Sequence, residues 1–143
     1  MQINVTHQIP ALTEHLAGLR ERLNGDLTPL MTAIGSLLEN STRQRFEDKV
    51  APSGVSWAQL SPATIRARKG RGGGILVDRG DLFRSITFHA TGDSVTVGTD
   101  RHYGKYHQMG WGVPKRSFLG ISQQDQADIT DLINDFMAGL ING

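Results

Sequence analysis

Between residues 103 and 122 the sequence reads YGKYHQMGWGVPKRSFLGIS, which gathers many of the chain's reactive or adhesive side chains into one stretch. Two Tyr rings, one Trp, one Phe, two Lys, one Arg and a His-Gln pair stand among glycines and a single proline. Rings with polar handles beside cations and backbone breakers suit a surface that docks onto a substrate, a nucleic acid or another protein. Catalytic readings find little order here. His102 and His107 could recruit Asp100 or His89 around a metal, but their spacing is not the i, i+4 pair of a helix face, and HEXXH is absent. Serines, threonines and five histidines make a nucleophile–base pair combinatorially possible, yet no G-x-S-x-G elbow places one. Asp125, Asp128, Asp131 and Asp135 fall at helical steps and read as a solvated acidic stripe rather than paired catalytic carboxylates. With no cysteine, thiol nucleophiles, disulfides and Cys-based zinc sites are excluded. No cofactor motif is present: the glycines of residues 70–74 follow a helix instead of leading into one, which rules out a Walker loop.

A second cluster has a different chemistry. Arg66, Arg68, Lys69 and Arg71 place four cations in six residues without an acid, enough to touch DNA phosphates without reading sequence. From residue 43 to residue 84 the net charge is +5, and from 123 to 143 it is −4, although the whole chain carries only +1. Regions of opposite sign can face water, pair within a fold, or pair head-to-tail between copies.

The elements that must position these groups follow from periodicity and punctuation. Residues 1–8 read as an extended lead-in. Pro10 opens an amphipathic helix to about Leu23, and a longer one follows the Asn24-Gly25-Asp26 break and ends near Phe46. These two should form a hairpin or lie together across a sheet. Trp57 anchors the return after a loop at residues 52–54. Ser61 caps a short helix from Pro62 through Lys69, and residues 70–74 form a loop. Residues 75–77 make a brief strand or turn, and 78–81 another turn. Residues 85–91 and 94–99 alternate as a hairpin around Gly92-Asp93, the sequence of a type II′ turn. Tyr103 and Tyr106 share a short helix, and Ser122 caps a last helix to Leu140 with Ile129, Leu132, Ile133 and Phe136 inward. The expected class is α+β in one domain, residues 1–143: N-terminal helices and a C-terminal helix packed on a small, mostly antiparallel sheet. No apolar run reaches the length of a membrane span and no signal pattern opens the chain, so a cytosolic origin is expected.

Four segments taken in order resemble the phage virion morphogenesis family, the Mu-type G protein and tail-completion group. They are SGVSWAQL at 53–60, ILVDRGDLFRSI at 75–86, VTVGTDRHYGKYHQMG at 95–110 and PKRSFLGIS at 114–122. The chain departs from the family pattern at Gly104, where alanine is usual, at Arg79, where threonine is, and at Lys115, which replaces a small residue. The resemblance implies a non-enzymatic protein of tail completion or head–tail joining, a sixfold ring in the neck of the virion, assembled in the host cytoplasm. It would contact other neck and tail proteins and, through the basic loop at 66–71, packaged DNA. The residues expected to bind partners are Arg66, Arg68, Lys69, Arg71, Tyr103, Lys105, Tyr106, His107, Gln108, Trp111, Lys115, Arg116 and Phe118. Of these, Lys105, Trp111, Lys115 and Arg116 form the expected exposed part, whereas Tyr103 and Phe118 fold the block down. His107 and Gln108 are expected to satisfy loop backbone groups, and Arg116 to reach a carboxylate or carbonyl. A metal-dependent enzyme and a DNA-binding regulator are the alternatives.

Overall fold

The computed structural model describes residues 1–70, 74–77 and 80–142. Strand β1 (Gln2–Asn4) leads into a 3-10 turn (Thr6–Gln8) and helices α1 (Pro10–Arg22), α2 (Thr28–Asp48), α3 (Pro62–Arg68) and α4 (Asp81–Ser85). Strands β2 (Thr87–Ala90) and β3 (Val95–Gly98) follow, then α5 (Gly104–Met109) and α6 (Gln123–Asn142). The class is α+β, with a three-stranded antiparallel sheet in the order β1-β3-β2. None of the described helices is long and apolar enough to cross a membrane.

Within the extended lead-in, Gln2–Asn4 is a strand and Thr6–Gln8 a 3-10 turn, which composition alone did not show. Ile3 pairs with Val97, and Phe88 pairs with Val97 from the other side, so one apolar row crosses the sheet. The ladder continues past β1: the Val5 amide donates to Val95 O, and the Val95 amide donates to Thr6 Oγ1. Gly98 makes this pairing possible. A Cβ there would lie 2.3 Å from Met1 O and 2.5 Å from Gln2 Cα, so β1 could not seat. Gly98→Ala should therefore cost about 1–3 kcal/mol as an overpacked contact. Faster amide exchange confined to residues 2–5 and 97–99 would register it, and unchanged protection there would refute it.

The hairpin differs from its expected form. Ser85 ends α4, whose first residue follows Gly80 in the left-handed region (φ 77°), so β2 starts only at Thr87. Gly92 does not have the positive φ that a type II′ turn requires. Instead, the Thr91 hydroxyl accepts from the Ser94 amide, and Gly92 O accepts from the Leu27 amide just before α2. The turn is shaped by its threonine and by docking on a helix start.

Helix α2 lies across β2 and β3, and α6 packs against both α2 and α1. Gly35 allows the close approach of α2 to the sheet, because a Cβ there would sit 2.3 Å from the Phe88 ring. Leu30, Met31, Ile34 and Leu38 of α2 join Val95 and Val97 of β3 and Ile129 and Ile133 of α6 in the core. Both N-terminal proline starts hold, with Pro10 in the first turn of α1 and Ser61 Oγ accepting from the Thr64 amide at α3.

Candidate functional site

Residues 103–122 form a folded arch held by internal side chains, and the arch leaves a collar of rings and cations outside. Its frame begins at Gly104. A Cβ there would be 2.9 Å from Thr99 Cγ2 and 3.3 Å from Phe118, so the glycine lets α5 settle against the core. Tyr103, at the helix start, turns inward and packs on the core, whereas Tyr106, three residues on, faces outward. Gly110 (φ 75°) closes α5 in the left-handed conformation, its amide donating to Tyr106 O.

Gln108 then ties the descending limb. Its Oε1 accepts from the Phe118 and Leu119 amides at 2.9 and 3.0 Å, and its Nε2 donates to Leu119 O at 2.9 Å. This is the backbone role expected for it. His107 does not share that role: its Nδ1 is buried with no hydrogen-bond partner among the described residues. Arg116 reaches carbonyls as expected, its Nε and Nη2 donating to Ala58 O and Gln59 O, but it is buried and not part of the exposed collar. It clamps the arch to the segment after Trp57, whose indole Nε1 donates to Ser117 O. Phe118 is fully buried and meets Phe46, which also contacts Trp57 and Phe83 at ring separations of 5.5–5.8 Å.

Two residues outside the block complete the frame. Arg45 projects from α2 and donates to Phe118 O and to Asp125 Oδ2, both in the interior. Burial pushes its guanidinium down from the usual arginine range, and the Asp125 charge opposes that. Asp125 thus leaves the solvated acidic stripe in which its spacing placed it. It also accepts from the Ser122 amide, and Ser122 Oγ accepts from the Asp125 amide, a reciprocal cap on α6. Asp128, Asp131 and Asp135 remain exposed.

Under the arch lies a groove of about 580 Å³. Its walls include Leu60, Leu76, Leu82, Tyr103, Val113 and Pro114, and His107, Arg68 and Arg116 add polar groups. Burial first, and the Arg116 charge second, hold the His107 imidazole below its usual value of 6.5. The native chain then binds fewer protons than the unfolded chain below that value. Stability from this group is complete above it and declines as pH falls through it, levelling once the native imidazole is also protonated. The urea midpoint of the wild type should accordingly drop further between about pH 7.5 and pH 5 than that of His107→Gln. Parallel pH profiles would contradict the assignment.

The basic cluster divides. Arg68 is half-buried and donates to Gly74 O, whereas Arg66 and Lys69 are exposed. Arg71 lies outside the described residues, as do Asp78 and Arg79 of the expected turn. Among the described residues no group of three His, Asp or Glu side chains could hold a metal. His102 packs edge-on against Tyr103. What remains outside is the collar: Tyr106, Met109 and Trp111 are 40–53% exposed, with Val113, Lys105 and Lys115 beside them. The Tyr106 and Trp111 rings meet at 6.3 Å, and Lys105 Nζ lies 5.8 Å from the Tyr106 ring centre.

No solved structure matches this chain. Among curated proteins, the Mu-like prophage FluMu G protein 2 of Haemophilus influenzae is 32% identical over 149 aligned residues, covering 99% of this chain and 97% of that protein. The putative capsid assembly protein G of Escherichia phage Mu is 32% identical over 113 residues, covering 70% of this chain and 72% of its own length. The profile of the phage virion morphogenesis family matches residues 7–138. The chain, with its tied arch and exposed collar, belongs to the phage virion morphogenesis family.

Proposed function

We propose that this virion assembly protein completes tails or joins heads to tails as a non-catalytic structural component. It would act as a homo-oligomeric ring, of six copies, in the neck region, after assembly in the host cytoplasm. The observation that carries the reading is the division of labour in residues 103–122. Gln108, Arg116 and Phe118 are spent inside the fold, which leaves Lys105, Tyr106, Trp111 and Lys115 outside. Exposed rings flanked by cations are the usual anchors of a protein interface. Neck and tail proteins are the partners in this reading, and weak contacts repeated around a ring supply avidity. Arg66 and Lys69, exposed at the end of α3, would touch packaged DNA without reading its sequence.

Electron microscopy of particles from a lysogen lacking the gene tests this directly. The expected result is full heads beside unattached or misfinished tails, with joining restored when the gene is supplied in trans. Normal head-attached tails without the protein would overturn the proposal.

A further inference from the structure

Charges of opposite sign stand on two faces of this molecule, and neither is neutralised by the other. From residue 101 to residue 122 there is no acidic residue, and α6 carries no basic one. Asp125 is consumed by Arg45 inside the fold. That leaves Asp128, Asp131 and Asp135 on the outer side of α6, where Ala127, Asn134 and Ala138 are also exposed. Helical steps of three and four put these six on one stripe, opposite Ile129 and Ile133. Among the described residues, Lys105 and Lys115 have no ion-pair partner, and neither do Asp128, Asp131 and Asp135.

The collar is therefore an apolar, cationic face without a partner, and the outer α6 stripe is an anionic face with small residues where rings could rest. We infer that the collar of one copy docks onto the outer stripe of α6 of the next copy, with Lys105 and Lys115 facing Asp131 and Asp135. Two unlike faces on one chain make a heterologous contact, which propagates head to tail and closes into a ring when its rotation allows. The charges set the register and the encounter rate, and Tyr106, Met109 and Trp111 supply the buried area. This inference rests on the ring reading above and names its interface.

Sedimentation velocity of the full chain at low salt, over a concentration series, tests it. Wild-type protein should assemble beyond a dimer and dissociate as salt rises. The charge reversals Lys105→Glu/Lys115→Glu and Asp131→Lys/Asp135→Lys should each weaken self-association by about tenfold or more, with thermal melts unchanged at high salt, where wild type is dissociated too, because all four positions are exposed. Mixing the two variants should restore assembly, because reversed collars meet reversed helix stripes and unchanged faces meet unchanged faces. Misfolding would not be rescued in this way.

Four outcomes would overturn the inference. Wild-type protein that stays monomeric throughout assigns the collar to a different protein. Oligomers insensitive to both reversals place the interface elsewhere and leave the ring standing. Loss with the collar variant alone assigns a collar-to-collar contact. Folded variants that fail to reassemble on mixing deny the complementarity. None of these results depends on whether particles lacking the gene are joined, so this inference and the neck reading can fail separately.

Discussion

Replacing Asp125 with Asn should destabilise the protein by roughly 3–5 kcal/mol, because it strands the Arg45 guanidinium in the interior without its counter-charge. For a chain of this size that corresponds to a melting temperature lower by on the order of 10 °C. The carboxylate holds more than the ion pair. Ser41 Oγ donates to Oδ1 and the Ser122 amide donates to Oδ2, so the change also loosens the α6 start and the α2–α6 seam. Urea unfolding measures the loss. The paired replacement Arg45→Met/Asp125→Leu should recover a large part of it, since two apolar groups leave no buried charge. A single Asp125→Asn variant within about 1 kcal/mol of wild type would show that the pair is hydrated rather than buried.

Gln108→Ala is the second large expected effect. It removes three hydrogen bonds and leaves the Phe118 and Leu119 amides and Leu119 O unpaired in a half-buried arch. At about 1 kcal/mol or more for each stranded group, the cost should be near 3 kcal/mol. Gln108→Glu should be milder at neutral pH, because its carboxylate still accepts from both amides, with the bond to Leu119 O replaced by an oxygen–oxygen repulsion. The two variants ranked by urea midpoint check this. Equal losses would contradict the role of Gln108 Oε1 as the acceptor for both amides. Hydrogen exchange should locate the Gln108→Ala effect at residues 108–119 and leave β2 and β3 protected.

Much of this architecture could be read from residue types. The helix starts at Pro10 and Pro62, the Ser122 cap and the two-strand alternation each rest on local chemistry, which survives folding. Gln108 as a backbone tie was legible because an arch rich in glycine and proline leaves amides without partners. The failures share a cause, which is that long-range partners decide them. β1 is three residues long and becomes a strand only because Gly98 lets it pair with the distant Thr96–Gly98 segment. Asp125 fits a helical acidic stripe by spacing, and its burial depends on Arg45, 80 residues earlier. One signal was present: Arg45 stands within the buried set of α2, with Leu38, Thr42 and Phe46, and a cation there demands an acid. Arg116 does reach carbonyls, as its length and charge suggest, but it is buried instead of lying in the exposed part of the block. Its target carbonyls, at Ala58 and Gln59, belong to a segment that local pattern could not bring beside it. In the candidate site, Tyr103, expected to fold the block down, does pack on the core, while Tyr106, three residues on, is 40% exposed. No comparable periodicity existed for the irregular stretch after Gly110.

The measurement closest to the central claim is the yield of infectious particles from a lysogen lacking the gene and supplied in trans with Trp111→Ala. Trp111 is 53% exposed and supports nothing in the core, so the variant should melt like wild type. If the collar is the working surface, losing an interface anchor should cut particle yield by at least about thirtyfold, with separate heads and tails accumulating. Wild-type yield from a folded Trp111→Ala protein would contradict the assignment of the collar to virion assembly.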